Sequence, residues 1–210
     1  MNLLESGPKQ VIFASATLPS LEVMNDMGNT IKVNTFLSKK IDVCKIDHHK
    51  LEASVQYRFH KVKQNNKTGL LIWYLNKYCH QGRKILIFVN TIPASIYLSR
   101  TLETANFKNV LLSSRVRSLK SSLKSFGKDV YIAVSTDMLS RGYDFDVDTV
   151  INFDYPLKTK IFLHRAGRTG RRFKTYQNVP VVLSFLSKNW ELNRAREIEK
   201  NANNDRELFC

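Results

Sequence analysis

Read for apolar and polar positions, the chain is a series of short hydrophobic runs separated by stretches of helical period. VIFA at 11–14 has strand length, and Pro19 after it suits the first turn of a helix extending to about Asn29. From Thr30 to about Ala53 the period decays into a Lys- and His-containing stretch, read as the tail of one unit and a linker to the next. SVQYRFHKV then alternates as a strand does, and LLIWYLNKYC has helical spacing with Gly82 just beyond as a stop. KILIFVN at 84–90 is almost continuously apolar, the pattern of a strand covered on both faces. A helix opening at Pro93 runs to about Ala105, NVLL is a short strand, and SLKSSLKSF at 118–126 spaces its apolar residues as a basic amphipathic helix would. VYIAVST at 130–136, TVINFD at 149–154 and VPVVLSFL complete the strands, and WELNRAREIEK is a charged terminal helix fraying near NANND.

Strands alternating with helices predict an α/β fold, a doubly wound, mostly parallel sheet with helices on both faces. Three segments follow: residues 1–50 as remnant and linker, 51–190 as one complete α/β domain, and 191–210 as a charged helix and tail. No internal repeat or low-complexity tract interrupts this order.

Charge changes the picture more than composition does. With 43% hydrophobic and 24% charged residues the chain is ordinary, but 33 Lys+Arg against 18 Asp+Glu give a formal net charge of +15. Such a surface attracts polyanions, of which nucleic acid is the commonest that proteins meet. No acid lies between Glu103 and Asp129, where Lys108, Arg115, Arg117, Lys120, Lys124 and Lys128 stand. None lies between Asp154 and Glu191, where Lys158, Lys160, Arg165, Arg168, Arg171, Arg172, Lys174 and Lys188 stand. Solvated faces would also read this way; two blocks without counter-charge favour phosphate contact, and neither has the apolar interleaving of a membrane-surface helix. Cys44, Cys79 and Cys210 are odd in number and far apart, which points to a reducing compartment and away from a disulfide framework or structural zinc. No apolar run approaches the ~20 residues needed to span a bilayer, and MNLLESGPKQ is not a secretory signal.

In open α/β sheets ligands bind at the carboxyl ends of strands, and the polar clusters are expected there: SAT at 15–17, NT at 90–91, TDMLSRGYD after VYIAV, and HRAGRTGRR. At these residues the chain resembles a family. VSTDMLSRGYDF at 134–145 resembles motif V and HRAGRTGR at 164–171 resembles motif VI of the DEAD-box RNA helicases, with INFDYP between them as in that family. SAT resembles motif III and ILIFVNT at 85–91 motif IV. The resemblance covers residues 10–190. It rests chiefly on the motif VI octet, since SAT alone is three common residues.

The resemblance implies a RecA-like helicase C-terminal domain preceded by a fragment of a first RecA-like domain. ATP with Mg2+ would lie between the two, the metal held mainly by the first. Arg168 and Arg171 would be the catalytic arginine fingers, stabilising charge that develops on the γ-phosphate; guanidinium suits this because it stays ionised and makes forked bonds to phosphate oxygens. Gly142 and Asp144 would join them in contacting the nucleotide. Thr91, Thr136, Asp137, Arg141 and Gly142 would hold RNA phosphates and riboses, with Arg115 and Arg117 adding charge. Ser15, Ala16 and Thr17, with His164 and Arg165, would couple the two domains. Each has a plainer reading beside it: helix caps for Thr91, Thr136 and Asp137, a turn aspartate for Asp144, a strand-end turn for SAT, a solvated basic turn for the octet. No residue is assigned to a metal. The expected partner is RNA, with no membrane, and the expected state a monomer in a reducing compartment that could be nucleus, cytoplasm or mitochondrion.

Two departures from the family pattern stand out. The HG…Q..R segment usual between motifs IV and V falls on LLSSRVRSL, where Leu111, Leu112, Val116 and Leu119 occupy the expected places, so grip there would be lost or purely electrostatic and salt-dependent. Nor does the sequence contain GxxxxGK[ST] or a DEAD tetrapeptide. The expectation is the C-terminal half of a longer enzyme, inactive alone, whether as fragment, gene-model error or genuine truncation. A non-catalytic RNA-binding or assembly module is the alternative, and a DNA-translocating relative a weaker one.

Overall fold

The computed structural model describes residues 51–203 except 53, 79–81, 114–121, 123, 138–145 and 172–178. All of them belong to the compact unit His49–Cys210. Six strands form one sheet: β1 (Gln56–Lys61), β2 (Ile85–Phe88), β3 (Asn109–Leu112), β4 (Ile132–Ser135), β5 (Thr149–Asn152) and β6 (Val181–Leu186). Their order is β1-β6-β5-β2-β4-β3, and every pairing is parallel. The α-helices whose bounds lie within the described residues are α1 (Lys67–Tyr78), α2 (Ile92–Thr104), α3 (Thr159–Ala166) and α4 (Asn189–Asn203), with a short 3-10 turn at Gln64–Asn66.

The burial of each strand follows from its sequence. Every residue of β2, β4, β5 and β6 is buried, as their apolar runs predict for central parallel strands. The alternating QYRFHK of β1 lies at an edge and keeps its outer positions exposed. Successive side chains feed two cores. Leu86, Phe88 and Val150 pack with Phe162 of α3 and Ala195 and Ile198 of α4, whereas Ile85, Ile87 and Ile151 pack with Leu71 and Leu75 of α1 and Leu98 and Leu102 of α2. Helices therefore cover both faces. Leu112 is fully buried in the first core, so at this point of LLSSRVRSL packing has replaced polar contact.

Caps fix where α2 and α4 begin. Thr91 is the N-cap of α2, its Oγ1 accepting from the Ala94 amide at 3.2 Å, so the helix opens one residue ahead of Pro93. Glu191 reaches back from the first turn of α4 to the amides of Ser187 and Lys188. α3, not delimited by the hydrophobic pattern, carries the chain from the carboxyl end of β5 back along the sheet. The basic helix expected at 118–126 falls largely outside the described residues, as does everything expected of 1–50.

Candidate functional site

Connections leave β2 toward one edge of the sheet and β5 toward the other, so the crevice at their carboxyl ends is a topological switch point. The turns there hold Asn90 and Thr91 after β2, Thr136 and Asp137 after β4, and Asp154 and Tyr155 after β5.

Arg165, in the last turn of α3, fills this crevice. Its side chain is 0% exposed. Nε donates to Asp137 Oδ1 at 2.5 Å, Nη1 to the Asp154 carbonyl at 2.7 Å and to Asn152 Oδ1 at 3.3 Å, and Nη2 to Asn90 Oδ1 at 2.8 Å. The guanidinium carbon lies 5.1 Å from the centroid of the Phe88 ring. A planar fork with five donors can tie three strand ends together in this way; an ammonium could not. Asn152 passes the network on, donating to Ser184 Oγ of β6 at 2.9 Å, and Asn90 Nδ2 donates to the Tyr155 carbonyl at 3.0 Å.

Among the described residues the hydrogen bonds of Arg165 brace the strand ends of its own sheet. The bridge to a first domain expected of it involves residues outside those described. Asp137 is bound to it and 33% exposed, so its first task is to neutralise a buried cation; a bare carboxylate would repel a phosphate. Thr136 is buried. Thr91 is exposed at the head of α2 and does the capping its plainer reading foresaw. Gly142, Arg141, Asp144, Arg115 and Arg117 lie outside the described residues, as do Ser15, Ala16 and Thr17.

The rest of the octet lies elsewhere, which corrects the sequence reading that set the whole cluster at the carboxyl ends. The Val147 amide donates to the Arg168 carbonyl at 3.1 Å, and Thr169 Oγ1 donates to the Val147 carbonyl at 2.6 Å. Val147 and Asp148 lead into β5, so Arg168 and Thr169 sit beside its amino end, roughly 13 Å from the strand tips for four residues of strand. α3 spans the difference. Beyond its C-cap Gly167, two guanidiniums turn back on carbonyls of the helix end: Arg168 Nε donates to the His164 carbonyl at 3.2 Å, and Arg171 Nε to the Gly167 carbonyl at 2.7 Å. Positive charge is favoured there by the partial negative charge of the helix terminus. Arg168 is 8% exposed, while Arg171 is exposed. His164 is half-buried in the last turn of α3. Gly170 adopts φ +80°, and a Cβ there would lie 2.5 Å from Val55 Cγ2, so only glycine fits the turn that presents Arg171.

Residues 66–173 match the helicase conserved C-terminal domain. The chain belongs to that family, in its DEAD-box branch. This helicase C-terminal domain is 33% identical to DEAD-box ATP-dependent RNA helicase 39 of Arabidopsis thaliana across 75% of the chain and 26% of that protein. It is 26% identical to the probable ATP-dependent RNA helicase DDX28 of Homo sapiens across 96% of the chain and 38% of that protein. Among solved structures it is similar to E. coli DEAD-box protein SrmB bound to regulator of ribonuclease activity A, with TM-score 0.57, 26% identity, and 66% of this chain and 81% of that one covered. S. cerevisiae Dbp5 bound to RNA and ADP BeF3 shares the fold, with TM-score 0.68 and 20% identity over 90% of this chain and 48% of that one. The chain spans 26% to 39% of the length of the first curated relatives it matches.

Asn90 stands where the NT cluster was expected, but sequence reasoning gave it no role and missed two further members of the helicase domain's crevice, Asn152 and Asp154. Asn152 left a signal, as an amide inside the buried strand TVIN, where a polar group requires a partner. Among the described residues no His/Cys/Asp/Glu cluster could hold a metal ion, and no helix is long and apolar enough to cross a membrane.

Proposed function

We propose that this chain is the C-terminal half of the motor of an ATP-dependent RNA helicase that unwinds short duplexes or remodels ribonucleoproteins. RNA meets the carboxyl ends of the strands, and ATP meets the loop after α3. At the first, the Ile92 amide at the Thr91-capped N-terminus of α2 donates to a phosphate, joined by Thr136 and Asp137 after β4 and by Arg141 and Gly142 further along the chain. Contacts to sugar and phosphate carry no sequence information, so the choice of target lies outside this domain. At the second, Arg168 and Arg171 donate to γ-phosphate oxygens as charge develops, with Gly142 and Asp144 beside the nucleotide. Mg2+ supplies charge neutralisation on the triphosphate, and none of this chain's residues is assigned to it. The protein acts as a monomer on RNA.

The observation that carries the reading is the division of one octet. Arg165 is sealed into the strand ends, while Arg168 and Arg171 are anchored by Nε to carbonyls at the end of α3. Anchoring by Nε restricts a guanidinium before a ligand arrives, which lowers the cost of orienting it on phosphate. The names of the relatives and the nucleotide and RNA held by Dbp5 agree with it. The test is RNA-stimulated ATP hydrolysis by the full-length protein. Arg168→Ala lowers turnover on the order of 10³-fold and leaves RNA affinity without ATP unchanged; equal turnover by parent and variant refutes the assignment.

A further inference from the structure

Beyond the crevice, the carboxyl edge of the sheet continues over β5 and β6, and there it changes character. Leu157, after β5, is 62% exposed, and Trp190, at the start of α4, is 37% exposed. Each is held in place by a neighbour. The ring of the buried Tyr155 lies 6.0 Å from that of Trp190 in an edge arrangement, and Arg194 Nη1 donates to the Leu157 carbonyl at 2.7 Å. Large apolar side chains set in place and left in solvent call for an explanation.

The surrounding charge says what they meet. Lys158 and Lys188 are exposed beside them, and Lys160 is half-exposed on α3. Of the nearby acids, Glu191 is buried and occupied by the Ser187 and Lys188 amides, and Asp154 is paired with Lys67 at 3.5 Å. Glu197 and Glu199, further along α4, act electrostatically on Tyr155 and are opposed there by Arg194, which leaves the lysine side of the patch next to Leu157 and the start of α4. An apolar surface ringed by lysines suits a ligand that is itself apolar in the middle and anionic at the rim. A nucleobase on its phosphate backbone is such a ligand.

We propose that Trp190 and Leu157 form a base-stacking platform for single-stranded RNA, with Lys158 and Lys188 on the flanking phosphates. The proposal rests on the reading that RNA lies along the carboxyl ends of the strands, and deepens it. β2, β5 and β6 are consecutive in the sheet, so the platform lies two strand spacings, about 10 Å, from the Thr91 end of β2. A strand seated at α2 reaches it with its next nucleotides. The platform adds affinity for longer RNA without reading sequence, since every base has a face to stack.

The test uses the 210-residue chain carrying Trp73→Phe, which leaves Trp190 as its single tryptophan. Binding of an end-labelled oligouridylate is followed by anisotropy, and Trp190 emission is followed with unlabelled oligonucleotide. Expected is quenching of emission over the concentration range in which anisotropy rises, whereas inorganic polyphosphate competes without stacking on the indole and leaves its emission. Trp190→Ala weakens binding on the order of tenfold, and Trp190→Phe recovers most of the loss. Leu157→Ser, on an exposed loop that the core does not need, weakens it several-fold and guards against misfolding of the tryptophan variant. If the oligonucleotide binds, emission is unchanged and Trp190→Ala binds as the parent does, the platform is wrong and the RNA-grip reading stands without it. If quenching comes from an acidic peptide and not from RNA, the patch is a protein-docking surface and the proposal is overturned. If no oligonucleotide binds even at low salt, the RNA-grip reading fails and the platform with it.

Discussion

Arg165 and Arg171 belong to one octet of sequence and meet opposite physical fates. Arg165 is withdrawn from water and shares its donors among Asn90, Asp137, Asn152 and Asp154. Arg171 remains exposed, its Nε donating to the Gly167 carbonyl at the end of α3. Arg168 is intermediate, nearly buried yet tethered in the same way as Arg171. An arginine that has spent its donors on its own fold is a structural bolt. One whose Nε is held on a carbonyl at a helix end, away from the strand tips, is placed for a different task. Residue identity does not separate the two cases; the acceptors within reach do.

The comparison can be broken most forcefully at the bolt. Arg165→Met removes the buried guanidinium bonded to Asp137 and leaves the amide oxygens of Asn90 and Asn152 without this donor. We expect about 3–5 kcal/mol of destabilisation, read by urea unfolding of the 210-residue chain; a loss under about 1 kcal/mol would mean that water replaces the guanidinium and that the crevice is open. Arg168→Ala reverses the pattern: in the full-length enzyme turnover falls on the order of 10³-fold, equivalent to about 4 kcal/mol of transition-state stabilisation, while the unfolding midpoint moves little. Should the midpoint fall as far as for Arg165→Met, the two arginines are the same kind of residue and the contrast disappears.

Smaller changes sharpen the picture. Gly170→Ala forces a Cβ onto Val55 at positive φ and should cost about 1–3 kcal/mol, with a further loss of turnover because the Arg171 turn shifts; a fully stable variant with normal turnover would show the turn to be yielding. Thr91→Ala removes the cap of α2 for about 1 kcal/mol, and on the present reading weakens RNA binding more than ATP binding. Equal effects on both ligands would take the α2 terminus out of the RNA site.

The sheet was legible in advance because ILIF, IAVS, TVIN and VVLSFL are buried on both faces, and such strands announce themselves as unbroken apolar runs. α3 was not, since TKIFLHRA is short and mostly polar at its ends. The role of Arg165 was hidden for a different reason. Its acceptors stand 75, 28, 13 and 11 positions away along the chain, and only the parallel order of β2, β4 and β5 collects them. The motif located the chemistry, but which of its arginines faced inward depended on the path of α3, and no local pattern encodes that. For Thr91 capping and phosphate contact were both open; the structure shows the capping bond to Ala94, and since Pro93 has no N–H and the Ser95 amide bonds the Thr91 carbonyl, Ile92 is the first-turn amide left for an anion.

Because α3 has only eight residues and is fastened at both sides of the sheet, its span works as a fixed-length strut. An extra residue inserted between Arg165 and Arg168, at the end of α3, would put Arg168 and Thr169 out of register with their bonds at Val147. No substitution does that: each trades one side chain and leaves the ruler alone. This stretch of polypeptide therefore tolerates misspelling better than miscounting, and a variant with a single codon added there would lose the distal arginines together while keeping the clamp.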